Sequence, residues 1–281
     1  MREISGIFFG CGVAALCARE FGACNHASRM ACKAHSQIAR SMVAASVVCA
    51  VSYNIHQCVG LDRRRDPRRI ARVIRELEPD IVALQEVSSE SNGRVESLQM
   101  KYLADQTGLQ AIPGPTIVKH NSEYGNVLMS RYPVLDSRCL DISVPGREPR
   151  GAIDAAIEIN GARVRVIVSH LGLRAKERHY QVDELLRMLK EQPRSPVLLM
   201  MDHNEWWPLS PCLRALHDHL GKPPAPGTFP SFAPILSHDR IWVKPQQAVI
   251  TVERHATPLT RIASDHLPLK ALIDIDRLCS A

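Results

Sequence analysis

Val47-Val48-Cys49-Ala50-Val51-Ser52-Tyr53-Asn54-Ile55 is β-branched and apolar until it reaches an amide and then polar loop residues. A run of that length and composition reads as a buried strand. Asp66-Pro67 follows, an N-cap residue with proline in the first helical position. Ile70, Val73, Ile74 and Leu77 then recur at helical spacing, and Pro79 ends the helix. Ile81 to Leu84 is the next strand and runs into Gln85-Glu86. The unit is strand, helix, strand, and each strand delivers a polar side chain at its end.

The pattern repeats downstream. Val95, Leu98, Tyr102 and Leu103 mark a second helix closed by Gly108, and Tyr124 to Pro133 reads as a strand broken by its proline. Ile153 to Ile159 and Arg163 to Ser169 form a hairpin about Asn160-Gly161. A third helix spans roughly 175 to 191, with Val182, Leu185, Leu186 and Leu189 facing in, and Pro196 to Met201 is a strand finishing at Asp202. Ser210-Pro211 caps a short helix carrying Leu213 and Leu216. A proline-rich loop over 222 to 234 leads to a strand at Ile241-Trp242-Val243, and Leu267 to Ile273 is the last strand. Strand-helix-strand twice over, with hairpins between, implies an α/β fold of two mixed β-sheets packed face to face with helices outside.

Polar stations close most of these strands: Asn54, Glu86, His170 in Val-Ser-His-Leu, and Asp202 and Asn204 in Met-Met-Asp-His-Asn. Asp239 in His-Asp-Arg-Ile-Trp and Asp265-His266 in Ser-Asp-His-Leu-Pro come last. Acids, amides and imidazoles gathered at one sheet edge can hold a hard cation and handle a phosphate. Glu86 is the best direct ligand, because a carboxylate at the end of a buried strand is costly without a cation or donor beside it. Asn54 can offer its amide oxygen next to it. Each residue alone also reads as a turn cap or a satisfied core histidine; the ordered set does not.

Over roughly 47 to 275 this order of motifs resembles the endonuclease/exonuclease/phosphatase superfamily of metal-dependent phosphodiesterases. The resemblance implies a four-layer α/β sandwich and a site for Mg²⁺ or Mn²⁺, with Asn54, Glu86 and Asp265 at the metal. It implies an Asp239–His266 pair, Asp202 orienting or deprotonating the attacking water, and Asn204 and His170 on phosphate oxygens. Asp202 and His266 both stand as general-base candidates. Three departures are visible. Met201 replaces the usual glycine, which implies a distorted pocket or a narrowed substrate range. His203 replaces the usual phenylalanine, and His238 a hydrophobic residue, so both would add cation affinity or basicity.

Weaker candidates surround this set. His56 borders the pocket or belongs to a surface loop. Arg150 and Asn126 touch substrate phosphate, or Arg150 only pairs with Glu148. Glu123 is a candidate partner for His170. Trp206 and Trp207 stack a base or sugar, or pack at a rim. His217 and His219 read as solvent-facing.

The chain has 281 residues, 35 basic and 29 acidic, for a net charge of +6. That balance mildly favours polyanionic partners and is no nucleic-acid signature by itself. Arg63, Arg64, Arg65, Arg68, Arg69, Arg72 and Arg75 cluster after the first strand. They form either a basic lip for phosphate backbones or anionic headgroups, or a solvated helix face pairing Arg72 and Arg75 with Glu76 and Glu78. Nine cysteines without zinc spacing fit a reduced cytoplasmic protein. Residues 1–46 read as an extension ahead of a catalytic domain over 47–281. Its apolar stretch over 4–18 leaves a poor signal peptide, a membrane anchor or no role as alternatives, so export or membrane contact stays open. The functional expectation is a divalent-metal-dependent phosphoester hydrolase acting on nucleic acid or another phosphodiester. The alternatives are a phospholipid or inositol-phosphate hydrolase of membrane lipid remodelling, and a degenerate anion-binding relative. No obligate protein partner is evident, and a monomer is expected.

Overall fold

The computed structural model describes residues 46–280 apart from 92, 95, 96 and 194. The extension expected over 1–46 lies outside them except for Ser46, as does Val95 of the second helix, which begins at Gln99. Among the described residues no helix is long and apolar enough to cross a membrane, and their five cysteines are free.

Two mixed sheets carry the domain. The first holds β1 (Val47–Asn54), β2 (Ile81–Glu90), β3 (Gln110–Lys119) and β4 (Ser122–Ser130). The second holds β5 (Val134–Asp141), β6 (Gly151–Ile159), β7 (Ala162–His170), β8 (Val197–Asp202) and β9 (Asp239–Lys244). The chain then returns to the first sheet with β10 (Val249–Arg254) and β11 (Leu269–Asp274), giving the orders β10-β11-β1-β2-β4-β3 and β5-β6-β7-β8-β9. β1 and β2 are parallel, joined through helix Pro67–Leu77, and β7 and β8 are parallel, joined through helix Ala175–Lys190. A parallel pair needs such a crossover, and the helix covers the sheet's outer face.

Side-chain alternation explains the four layers. Along β1, Val48 and Ala50 enter the core between the sheets, whereas Cys49, Val51 and Tyr53 pack under helices Pro67–Leu77 and Gln99–Thr107. Along β8, Leu198 and Met200 face the opposing sheet, while Leu199 and Met201 pack under helices Ala175–Lys190 and Pro211–Leu220. Both faces of the central strands are dry, hence their unbroken apolar sequence. Asp66 caps its helix by accepting from Arg68 N at 3.0 Å, and Asn160 and Gly161 turn the β6–β7 hairpin at φ of 52° and 81°.

Edge strands β3, β5 and β10 escape the sequence reading, as do the short helices Thr260–Ala263 and Ile275–Cys279. The expected pairing of Arg72 and Arg75 with Glu76 and Glu78 is also replaced. Arg75 donates to Gln106, and Glu76 faces His255 at 3.3 Å.

Candidate active site

The same alternation aims the site. His170, Asp202 and Asp239 stand in one register row across β7, β8 and β9, each even with the core-facing residues of its strand. Asn54 does the same on β1. Strict alternation would send Glu86 to the helix face with Leu84. A bulge between Leu84 and Val87, with Glu86 at φ 58°, turns it toward Asn54 instead. A non-glycine residue held there costs about 1–3 kcal/mol, which a purely structural strand has no reason to retain. Asn204 sits at φ 50° just past β8.

The eight residues expected at the site converge on this edge. Asn54 Nδ2 donates to Glu86 Oε1 at 3.0 Å and to Asp202 Oδ2 at 2.9 Å. Its oxygen accepts from His56 N at 3.0 Å. The amide nitrogen rather than the expected oxygen therefore faces Glu86, because two carboxylates draw the donor end of the amide. Asp265 follows Ser264, whose Oγ donates to Asn54 O at 2.8 Å. Its carboxylate lies 3.8 Å from His56 Nδ1, so His56 borders the pocket. His266 Nδ1 meets Asp239 Oδ2 at 2.8 Å, and its Nε2 points to Asp202 Oδ2 at 3.6 Å. His170 Nε2 is 3.6 Å from the same oxygen and 2.9 Å from Asn204 Nδ2.

Charge explains what this arrangement wants. Burial pushes the Glu86 carboxyl up; Asn54 opposes this, while Asp202 and Asp265 push further. Burial also raises Asp202, with Asp239 adding to it against His266 and Asn54. Asp239 Oδ1 is buried without a hydrogen-bond partner among the described residues. Burial alone would depress His266, but Asp239 and Asp202 overcome it and hold the imidazole up to about 10, so it is an imidazolium at neutral pH. His170 goes the other way: burial and the nearby Arg150 guanidinium keep it neutral.

The carboxylates gathered at Glu86, Asp202 and Asp265 fit a divalent cation, whose oxygen ligands are of this kind. Asp202, Asp239 and His266 also lie within 4.8 Å of one another, a spacing compatible with a metal. The Asp239–His266 pair also suits proton handling, since the carboxylate holds the ring by Nδ1 and leaves Nε2 toward Asp202.

Several weaker expectations change. Met201 points into the core beneath the helices, not into the pocket. His203 is buried between Glu205 N and Arg240 Nε, at 2.9 and 2.8 Å, with no nitrogen free for a cation. His238 stacks on Phe229 at 4.9 Å, and Phe229 packs against His266. Asn126 is committed to the fold, donating to Gly151 O across the sheets at 3.0 Å. Glu123 is exposed on β4, and the His170 nitrogens meet Arg150 and Asn204 instead. His217 and His219 are half-buried, His217 against Trp242. Trp206 and Trp207 are exposed at the rim.

Arg150 lies at this edge as well. It is buried, reaches His170 Nδ1 at 3.3 Å and Glu148 at 3.0 Å, and lies beside Tyr124. Thr228 and Tyr124 were not anticipated. Thr228 Oγ1 donates to Asp239 Oδ2 at 2.6 Å from within a proline-rich loop, where no periodicity marks it.

The profile of the PGAP2IP C-terminal nuclease-like domain matches residues 45–202. The Escherichia coli (strain K12) protein YbhP is 32% identical over 248 residues, covering 80% of this chain and 95% of YbhP. Among solved structures, the endonuclease/exonuclease/phosphatase from Beutenbergia cavernae superposes with TM-score 0.69 at 23% identity, covering 82% of this chain and 72% of its own. That from Bacteroides vulgatus gives 0.66 at 21%, covering 81% and 98%.

Proposed function

Because the chain belongs to the endonuclease/exonuclease/phosphatase superfamily, in the family of the PGAP2IP C-terminal nuclease-like domain, we propose that it is a divalent-metal-dependent phosphodiesterase. The observation that carries this reading is the joining of the acidic group Glu86, Asp202 and Asp265 to a protonated, carboxylate-held imidazole at one sheet edge.

Glu86 and Asp265 would hold Mg²⁺ or Mn²⁺, with Asn54 bracing the Glu86 carboxylate or turning its amide oxygen to the ion. When bound, such an ion neutralises the non-bridging oxygens and stabilises the departing alkoxide. Asp202 is the group for the incoming water: it is buried, raised in pKa and within 2.9 Å of the Asn54 amide. Held as an imidazolium, His266 is suited to donate to the phosphate or leaving oxygen, which assigns the base role to Asp202. Asp239 orients that ring through Nδ1, and Thr228 fixes Asp239 in turn. Neutral His170, Asn204 and Arg150 supply donors for the remaining phosphate oxygens.

Hydrolysis of bis-p-nitrophenyl phosphate with Mg²⁺ or Mn²⁺ tests this. Turnover should stop with chelator and be abolished in Glu86→Ala and His266→Ala. Unchanged rates in both variants would refute the assignment. Tight Mn²⁺ binding without turnover on any phosphoester would make the chain an anion-binding relative instead. Plasmid nicking and liposome hydrolysis assayed side by side separate a nucleic-acid backbone from a phospholipid headgroup as the diester, with salt sensitivity expected of the former.

A further inference from the structure

We propose that the site-bearing edge of the sandwich docks on an anionic lipid surface, with the loops around the active site as the inserted rim. Among the described residues twelve large hydrophobic side chains are exposed, and eight of them lie on the connections that leave or enter the site strands, seven on loops and Ile262 on the short helix Thr260–Ala263. Scattered exposed apolar residues need no explanation, but a concentration around one pocket does.

The eight form two groups flanking the site. After His170 and Asp202 come Leu173, Trp206, Trp207 and Leu209, exposed by 72%, 59%, 53% and 66%. Arg178 ties their loops together, donating to Leu173 O and to Glu205, which accepts from Trp207 N. On the other side are Leu61, Phe232, Ile235 and Ile262. Leu61 N donates to Ile262 O, and Arg261 reaches back to Phe232 O. Ser231 N donates to Asp265 O, which places this second group against the site itself.

The arginine cluster left unused by the proposed chemistry starts at the same edge. Arg64, Arg65, Arg68 and Arg72 are exposed. Arg65 bonds Gln57, directly after His56, and pairs with Glu90 at the end of β2. Basic residues near an anionic leaflet attract it, and tryptophans settle at headgroup level.

Aliphatic chemistry decides between lipid and nucleic acid. Leu61, Leu173, Leu209, Ile235 and Ile262 have no π face to stack on a base and no group to contact a phosphate. An acyl-chain boundary accommodates all of them. The inference concerns binding alone, so it stands or falls separately from turnover.

The chain has three tryptophans; Trp242 is buried while Trp206 and Trp207 sit on the rim, so intrinsic emission reports this face. The full chain is titrated with phosphatidylcholine vesicles, with and without a minority of phosphatidylserine, and with brominated acyl chains. The expected result is a blue shift with anionic vesicles and bromine quenching. Arg64→Glu with Arg68→Glu should weaken partitioning about 30-fold or more, and Leu173→Ser with Leu209→Ser about tenfold or more, with melting temperatures unchanged. Three results overturn the proposal. The chain sediments with vesicles while its emission stays fixed, so another segment holds the membrane. The shift follows protein concentration without vesicles, so a second copy covers the rim. Or duplex DNA shifts the emission and vesicles do not.

Discussion

Asp154 and Asp202 lie on β6 and β8, two places apart in one sheet, and both are buried. Their surroundings treat them in opposite ways. Asp154 receives Arg165 Nε and Nη2 at 2.7 and 2.8 Å and Arg138 Nε at 3.0 Å. Burial alone would raise it, but the two guanidiniums win and its carboxyl falls below the ordinary range. Asp202 has an amide, a backbone N–H and a shared imidazolium, with Asp239 and Glu86 close by, and its carboxyl rises. A carboxylate that serves the fold is matched on the spot. The one in the candidate site is left with charge to spare, as groups at functional sites commonly are.

The sharpest way to break this contrast is to remove one member of each region. Glu86→Ala, His266→Ala or Asp202→Asn should cost on the order of 10³-fold or more in kcat, read in the diester assay, while Asp154→Asn leaves the folded enzyme's rate near that of the parent. A full loss in Asp154→Asn at a temperature where it is folded would erase the distinction.

Stability should invert the ranking. Asp154→Ala strands a buried Arg165 and should lower unfolding free energy by about 3–5 kcal/mol, measured by urea denaturation. Asp202→Asn removes a crowded charge and should gain about 0.5–2 kcal/mol while losing activity. A large destabilisation by Asp202→Asn would mean that the site's acids are structural after all.

The smallest effect is in the pH dependence. Asp154 is depressed in the folded state, so its contribution is present above the unfolded value near ~4 and disappears as pH falls through the folded value. Asp202 is raised, so the folded state binds more protons, and its contribution weakens stability as pH climbs above ~4. Without metal, Asp154→Asn should flatten the acid limb of the stability profile, and Asp202→Asn the limb above it. Identical profiles for both would contradict the opposed shifts.

The same contrast shows why part of the molecule was legible in sequence. β1, β8 and the first half of β2 are dry on both faces, so they appear as apolar runs, and their polar endpoints announce themselves. β3, with Pro113 and Pro115, and β5, mostly exposed, are edge strands whose composition resembles loop. Side-chain direction was the other blind spot. Only the register showed that Met201 faces the helices, that Asn126 ties the two sheets, and that a bulge delivers Glu86. Thr228 meets Asp239 through a contact made across the fold, which no local pattern encodes.

In the proposed chemistry Glu86 and Asp265 hold the cation. Calorimetric titration of Mn²⁺ into the parent chain, Glu86→Gln, Asp265→Asn and Asp154→Asn tests it most directly. The parent and Asp154→Asn should bind alike, and the two site variants should lose binding. Equal affinity in all four chains, or none in the parent, would contradict the account.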